Sequence, residues 1–212
     1  MLKIGLTGSI AVGKSVVSGI LADLGCHVID ADETARNVAR PGTEGLRKIV
    51  ESFGSEVLMP EGELDRSKLG AIVFADKEKR LLLNSIVHPL VIEAQNQRLL
   101  ELEKEDPDGI AIIDAALMIE SGSYKRLDGL IVVWCEAAIQ LKRLMLRDNL
   151  SRSDAQKRID SQMSQDEKKQ YADFLIDTSN SMEETRRQTV EIYDRLALLG
   201  DKSFLSQRCR EE

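Results

Sequence analysis

The residues with the clearest chemical meaning are Gly8 to Ser15, which read GSIAVGKS and match the pattern GxxxxGK[ST] at every fixed position. Glycines let such a segment curl so that successive N–H groups point inward, and the following helix adds its dipole. The lysine then reaches the β and γ phosphates of a nucleotide, and the serine hydroxyl ligates Mg²⁺. The segment follows an apolar run and opens a helix, which favours an ATP-binding loop over a turn that binds nothing. The predicted contacts are Gly8, Ser9, Ala11, Val12, Gly13, Lys14, Ser15 and Val16.

Three acidic side chains follow predicted strands, namely Asp30, Asp32 and Asp114. Ligands of an open parallel sheet bind at the carboxyl edge of the strands, so these acids and the loop are expected to share one edge. Phosphoryl transfer to a hydroxyl needs a carboxylate that takes its proton, a role predicted for Asp32. Asp114 is predicted to hold the metal with Ser15, directly or through water. The alternatives are helix capping for Asp30 or Asp32, and a solvated strand-end acid for Asp114.

A later helix carries Gln140, Arg143 and Arg147, whose spacing of three and four places them on one face. Two arginines that close over the phosphate loop would neutralise charge developing on a transferred group. Arg147 is accordingly included among the predicted ATP contacts. The alternative is a solvated helix with ordinary surface charges.

Short apolar runs that alternate with helical stretches predict an α/β fold with a mainly parallel five-stranded sheet. Helical spacing of apolar residues predicts a helix over 14–24. A C-terminal helix is predicted over 181–198, and residues 33–40 form the helical segment that Asp30 or Asp32 would cap. The segment from residue 61 to 105 shows only helical patterns, and Pro89 stands where a helix could begin. The predicted strands are Leu2–Thr7, Cys26–Asp30, Gly109–Asp114, Leu130–Trp134 and, more weakly, Phe174–Ile176.

This organisation predicts a core of residues 1–60, 106–136 and 166–200, an inserted helical lobe at 61–105, a helical lid at 137–165 and a frayed tail at 201–212. The formal charge of −7 repels polyanions, so neither nucleic acid nor a membrane is an expected partner. The three cysteines are scattered, which indicates a reducing compartment without a disulfide framework. Cys26 and Cys135 lie in apolar runs and are predicted core residues; Cys209 lies in the tail. The N-terminus shows no signal-like pattern, and we expect a cytoplasmic protein.

Taken together, these features resemble the dephospho-CoA kinase family over residues 2 to 198. The matching segments occur in the family's order and spacing, which is far more specific than the phosphate loop alone. They are IGLTGSIAVGKS at Ile4–Ser15, VIDAD at Val28–Asp32, PGTEG at Pro41–Gly45, LDR at Leu64–Arg66, VF at Val73–Phe74, VHP at Val87–Pro89, QLKRLMLR at Gln140–Arg147, RIDSQM at Arg158–Met163, Lys168 and ADFLID at Ala172–Asp177.

The resemblance implies a P-loop NTPase fold of the nucleoside-monophosphate-kinase type, in which the 61–105 lobe binds CoA. It implies transfer from MgATP to the ribose 3′-hydroxyl of dephospho-CoA, with ATP and Mg²⁺ as cofactors. Asp32 would be the catalytic base, Lys14 the phosphate clamp and Arg143 the lid arginine. Arg66, His88 and Leu117 would bind the acceptor together with Asp32. For His88 the alternative is a capping or core histidine.

The chain departs from the family's pattern at two places. Ala11 replaces a usual glycine, so the loop is expected to be slightly stiffer. The family motif Asp-x-Pro-Leu-Leu-Phe-Glu reads DAALMIE from Asp114 to Glu120, which keeps both acids but loses the proline. Two other hypotheses stay open: a related kinase acting on another small alcohol or nucleotide, and a non-enzymatic nucleotide sensor. Absence of an NKxD motif argues against a GTPase, and a sensor would not need both an acceptor base and a lid arginine.

Overall fold

The computed structural model describes residues 1–200, so the predicted tail and Cys209 lie outside the described residues. These residues divide into two compact units, one of Met1–Ile29 with the residues from Leu102 onward, the other of Asp30–Glu101. The second unit therefore begins at Asp30, whereas the lobe was predicted to begin near residue 61.

No helix within residues 1–200 is long and apolar enough to cross a membrane. The cytoplasmic location expected from the cysteines stays a prediction.

The first unit is built on a five-stranded sheet in the order β2-β3-β1-β4-β5. The central strand β1 pairs in parallel with β3 on one side and β4 on the other, and β4 pairs in parallel with β5. The predicted mainly parallel α/β sheet is confirmed, with small shifts at the strand ends. The strands are β1 Leu2–Gly8, β2 His27–Asp30, β3 Ile110–Asp114, β4 Gly129–Trp134 and β5 Phe174–Asp177.

Within residues 1–200 the structure has nine α-helices, which are distributed over the two units. The predicted helices after the phosphate loop, in the lid region and at the C-terminal end are confirmed as elements. The lid region contains two of them, and a third short helix follows it. The helices are α1 Lys14–Asp23, α2 Ala31–Asn37, α3 Glu44–Phe53, α4 Arg66–Ala75, α5 Lys77–Glu105, α6 Ala137–Asp148, α7 Arg152–Asp160, α8 Gln165–Lys169 and α9 Met182–Gly200.

The core of the first unit lies where the sheet packs against its helices. All five residues of β3 are buried, as expected for a parallel strand covered on both faces. Cys26 and Cys135 are buried, as predicted. Burial raises the pKa of the Cys26 thiol to about 11 and also raises the pKa of the Cys135 thiol, so both are neutral at ordinary pH.

The second unit is helical and has an apolar cluster of its own, which includes Leu46, Ile49 and Phe53 of α3. The Thr43 hydroxyl caps α3 by accepting a hydrogen bond from the Leu46 N–H at 3.3 Å. The expectation that Pro89 begins a helix is wrong, because this proline lies inside the 29-residue helix α5. A proline in a helix interior costs about 3 kcal/mol, and the helix-forming residues on both sides outweigh that local penalty.

The tight packing of β1 generates a stability prediction about Gly5. A Cβ atom added at Gly5 would lie 2.5 Å from Met118 Sδ and 2.8 Å from Leu130 Cδ1. Gly5→Ala should therefore lower the free energy of unfolding by about 1–3 kcal/mol through overpacking. Gly19→Ala is the matched control, since a Cβ there meets nothing within 4 Å inside α1, and it should raise stability by about 0.5–1 kcal/mol. Urea unfolding followed by circular dichroism measures both, and unchanged stability in Gly5→Ala would contradict this packing.

Candidate active site

The phosphate loop joins the end of β1 at Gly8 to the start of α1 at Lys14. Gly13 has φ +91°, a left-handed conformation that suits glycine, and the helix start has no side-chain cap. Within residues 1–200 the N–H groups of Gly13, Lys14 and Ser15 find no hydrogen-bond acceptor. Unpaired N–H groups at the positive end of a helix dipole form an anion site.

Some side chains of the phosphate loop pack against the protein, and others are exposed. A Cβ at Gly8 would lie 2.6 Å from the carbonyl oxygen of Val133, so this glycine is required by packing. The Val12 side chain is fully buried, and the Ser9 hydroxyl donates to the carbonyl of Met163 at 3.3 Å. Gly8, Ser9 and Val12 can therefore offer a nucleotide only main-chain groups, whereas Ser15 is exposed.

Ala11 has φ +60°, which is the left-handed region. For an L-residue with a Cβ atom this conformation costs about 1–2 kcal/mol relative to the right-handed one. The substitution of alanine at this position therefore leaves the curled backbone in place but adds strain to it. The expected stiffness of the loop stays a prediction.

Lys14 forms an ion pair with Asp114 at the end of β3. Asp114 is only 8% exposed, so the alternative of a solvated strand-end acid is wrong. The contact also confirms that the loop and this strand end share one edge of the sheet. A lysine held against a carboxylate at this edge is positioned to exchange that partner for phosphate oxygens.

Arg143 on α6 is fixed by the residue that follows β5. Its guanidinium donates to the Thr178 hydroxyl at 3.0 Å and to the Thr178 carbonyl at 2.7 Å. Within residues 1–200 no carboxylate forms an ion pair with Arg143, and the neighbouring Cys135 thiol is neutral. This cation therefore has no counter-charge of its own beside the phosphate loop.

Arg147, one turn further along α6, is more exposed and pairs with Asp148 at 2.8 Å. The pKa of Asp148 is lowered by its hydrogen bond from Arg147, and the pKa of Arg147 is raised by the same contact. The surface-charge alternative thus fits Arg147 in part and does not fit Arg143. Both arginines nevertheless line one cavity of about 440 Å³ beside the loop, together with Gly13, Ser15, Thr178 and Asn180.

The chain is similar to known proteins over most of its length. The family model described as dephospho-CoA kinase matches residues 2–184. The chain belongs to the dephospho-CoA kinase family. A dephospho-CoA kinase of Listeria monocytogenes is 46% identical over 196 residues, covering 91% of this chain and 96% of the relative.

Solved structures agree with this family assignment. A dephospho-CoA kinase from Campylobacter jejuni has a TM-score of 0.70 at 34% identity, covering 92% of this chain and 96% of its own. A crystal structure from Thermus thermophilus has a TM-score of 0.79 at 30% identity and covers 92% of this chain and 97% of its own. The fold described above is therefore that of the dephospho-CoA kinase family.

The segment after Asp114, where this family member lacks the motif's proline, is held by a buried lysine. Lys168 of α8 is fully buried and donates to the carbonyl of Ala116 at 2.8 Å. Its ammonium also pairs with Glu120 at 2.8 Å. The hydroxyl of Thr7 donates to the same Ala116 carbonyl at 3.2 Å. The backbone path that the missing proline left open is thus defined by Lys168 from one side and β1 from the other.

The second unit contains residues that were predicted to bind or activate the phosphoryl acceptor, and their hydrogen bonds differ from one residue to the next. Asp30 caps α2 by accepting from the N–H groups of Asp32 at 2.7 Å and Glu33 at 2.9 Å. The capping alternative therefore holds for Asp30, and it leaves the exposed Asp32 carboxylate unused by the helix. Arg66 begins α4 and donates to the carbonyl of Arg36 at 3.1 Å. The catalytic role of Asp32 and the binding role of Arg66 stay predictions.

Two further predicted contacts can be placed locally. His88 lies inside α5 and is exposed, so the alternative of a capping or core histidine is wrong, and its substrate role stays a prediction. Leu117 is 53% exposed whereas its neighbour Met118 is 1% exposed. Only Leu117 of this apolar pair is available to a ligand.

Sequence reasoning missed Thr178 and Asn180, which line the cavity, and the structural role of Lys168. Thr178 and Asn180 follow β5 directly, so the rule that selected Asp30 and Asp114 at strand ends would have selected them as well. For Lys168 the local sequence carries no such signal, because its partners come from a segment about fifty residues earlier.

Loss of the buried ion pair between Lys168 and Glu120 should destabilise the fold. Lys168→Met should lower the free energy of unfolding by about 3 kcal/mol, because Glu120 loses its cation and the Ala116 carbonyl keeps only the Thr7 hydroxyl as a donor. This is the lower end of the usual range, since the Glu120 side chain is 25% exposed. Lys157→Met, at a side chain 76% exposed, is the control and should change stability by less than about 0.5 kcal/mol. Equal unfolding midpoints for the two variants would contradict the role of Lys168.

Proposed function

We propose that the chain transfers the γ-phosphoryl group of ATP to the ribose 3′-hydroxyl of dephospho-CoA, giving CoA and ADP as the last step of coenzyme A synthesis. The observation that carries this proposal is the family match over residues 2–184. The phosphate loop indicates the donor, but a loop of this kind serves many acceptors. Family membership over nearly the whole chain is what selects dephospho-CoA among them.

On the donor side, the unpaired N–H groups of the loop bind the phosphate oxygens. Lys14 leaves Asp114 to contact the β and γ phosphates, and Arg143 neutralises charge on the transferred group. Support comes from the position of Arg143, which is fixed by Thr178 and has no ion-pair partner within the described residues. A pre-placed cation needs no rearrangement when charge develops.

The nucleoside of ATP occupies the cavity lined by Arg143, Arg147, Thr178 and Asn180. Its volume of about 440 Å³ lies within the usual range for small-molecule sites, about 300–1,000 Å³. The Arg147 side chain is 56% exposed and its only ion-pair partner among residues 1–200 is its neighbour Asp148, so its planar guanidinium is available to stack on the base.

A magnesium ion bound with ATP fits the residues at this edge. Mg²⁺ takes oxygen ligands and keeps several waters, so one hydroxyl and one carboxylate suffice. The Ser15 hydroxyl is exposed at the start of α1, and within residues 1–200 Lys14 contacts only one of the two Asp114 carboxylate oxygens. When bound, the ion would neutralise phosphate charge; Ser15 and Asp114 would hold it, Asp114 directly or through water.

On the acceptor side, Asp32 accepts the proton of the 3′-hydroxyl while the hydroxyl oxygen bonds to the γ-phosphorus. The bond from the γ-phosphorus to the β–γ bridging oxygen breaks, and ADP leaves with that electron pair. Arg66, His88 and Leu117 bind dephospho-CoA in this proposal. The capping by Asp30 supports the choice of Asp32, because the helix start is satisfied without it.

A substrate panel tests the acceptor. ADP release is measured with dephospho-CoA, with nucleoside monophosphates and with small sugar acids, and the product is identified by mass. We expect phosphorylation of dephospho-CoA at a kcat/KM at least about 100-fold above the other acceptors, since a site with several polar contacts rejects analogues strongly. Faster turnover of a nucleoside monophosphate or a sugar acid would reject dephospho-CoA as the substrate, and no turnover of any acceptor would favour the nucleotide sensor.

The proposed role of Asp32 as base can be tested by comparing its substitution with that of the nearby Asp30. Asp32→Asn should lower kcat by roughly 10²–10⁴ and leave ATP affinity nearly unchanged, because only the proton acceptor is lost. Asp30→Asn is the control, since asparagine caps a helix about as well as aspartate and should retain turnover. Near-normal kcat in Asp32→Asn would remove that residue from the mechanism, whatever the control does.

A further inference from the structure

Ala11 is held in a conformation that alanine avoids. Within residues 1–200, only Ala11 and Asn149 among the non-glycine residues have positive φ angles. Asparagine tolerates the left-handed region, whereas alanine has no side-chain group that stabilises it there. Such a conformation persists only where the surrounding structure over-determines it. The contacts of the preceding residue, Ile10, supply that constraint.

Ile10 is hydrogen-bonded through both of its main-chain groups. Its N–H donates to Gln162 Oε1 at 2.8 Å, and its carbonyl accepts from Gln140 Nε2 at 2.8 Å. The two groups of a trans peptide point in opposite directions, so a carbonyl held by Gln140 turns the Ala11 N–H away from Gln140. Within the described residues the Ala11 N–H has no acceptor, and Ala11 lines the cavity beside the loop.

The orientation of the Gln140 amide is determined by a chain of three hydrogen bonds. The main-chain N–H of Cys135 can only donate, so Gln165 presents its oxygen to it, at 2.9 Å. The Gln165 amide nitrogen then donates to Gln140 Oε1 at 2.8 Å. The Gln140 nitrogen is consequently left to donate to the Ile10 carbonyl. Gln140 is 2% exposed, so water cannot readily replace either partner.

We propose that Gln140 and Gln162 are positioning residues that hold the Ile10 peptide groups and thereby keep Ala11 left-handed before ATP binds. In their absence Ala11 leaves this conformation, and ATP binding must first restore it, which lowers affinity by the fraction of chains in the competent state. Glycine adopts the left-handed conformation freely. The two glutamines should therefore matter to ATP binding because residue 11 is alanine. This inference rests on the proposed ATP site but not on the identity of the acceptor.

A mutant cycle between Gln140 and Ala11 tests the proposal. Binding of Mg²⁺ with the non-hydrolysable analogue AMP-PNP is measured by calorimetry in the wild-type chain, Q140M, A11G and the double variant. Methionine keeps the length and neutrality of glutamine but cannot donate. We expect Q140M to weaken binding roughly 10-fold and to weaken it by less than about 3-fold in the A11G background. A11G supplies the reference for the double variant, so that the effect of Q140M is compared within each background.

The controls separate this role from general damage. Q156M changes an exposed glutamine of α7 and should leave binding unchanged. Melting curves report whether Q140M folds; if it does not, Q162M removes the other contact at a partly exposed position and carries the same cycle. An equal loss in both backgrounds, or no loss in either, overturns the proposal. A wild-type chain that does not bind AMP-PNP overturns the proposed function as well, whereas failure with dephospho-CoA alone leaves the cycle valid.

Discussion

The direction of the peptide groups in the phosphate loop is the constraint on which the site depends. Two carbonyls of the loop are bound from outside: that of Ile10 by Gln140 and that of Val12 by the Thr178 hydroxyl at 2.5 Å. Carbonyl and N–H point in opposite directions along a trans peptide, so carbonyls held outward leave N–H groups facing the open side. The protein thus pairs these two acceptors of the loop and leaves the N–H groups of Ala11, Gly13, Lys14 and Ser15 for an anion, whereas the Ile10 N–H is bound by Gln162.

Three cations of the first unit also differ in whether they stabilise the fold or remain available to a ligand. Lys168 is fully buried and paired with Glu120, so its charge is used to hold the segment after β3. Lys14 is partly exposed and paired with Asp114, a carboxylate that a metal ion could also bind. Arg143 is fixed by neutral acceptors on Thr178, so its charge remains uncompensated beside the loop. Burial and partner type, more than residue type, separate the three roles.

Thr178 connects several parts of this arrangement. Its hydroxyl accepts from Arg143 and donates to Val12 of the loop, and its N–H donates to Trp134 at 2.9 Å. Arg143, the phosphate loop and the sheet therefore meet at one small side chain at the end of β5. Helix α6 is thus connected to the loop twice, through Thr178 and through the contact of Gln140 with Ile10.

The sequence by itself determined where the strands lie along the chain, the helices after the phosphate loop, in the lid region and at the C-terminal end, and the phosphate loop, because their signals are local. It did not predict α3, Glu44–Phe53. Apolar runs, helical spacing and the GxxxxGK[ST] pattern each lie within a few residues. It also selected Asp30, Asp32 and Asp114 as the carboxylates expected at the same edge of the sheet as the loop. It predicted Asp32 as the base but left helix capping open for both Asp30 and Asp32, since an aspartate just after a strand suits either role. The prediction of a helix start at Pro89 was wrong, because a proline marks a helix start only when the preceding residues do not extend the helix.

Only the tertiary structure decided which polar residues serve the loop and which serve the fold. Gln140 lies 130 residues from Ile10, Thr178 lies 166 residues from Val12, and Lys168 lies 52 residues from Ala116. No local pattern distinguishes a buried glutamine or lysine with such a partner from one on the surface, because its desolvation is offset only by groups that folding brings near. The donors that face the nucleotide were readable from the sequence; the acceptors and side chains that orient them were not.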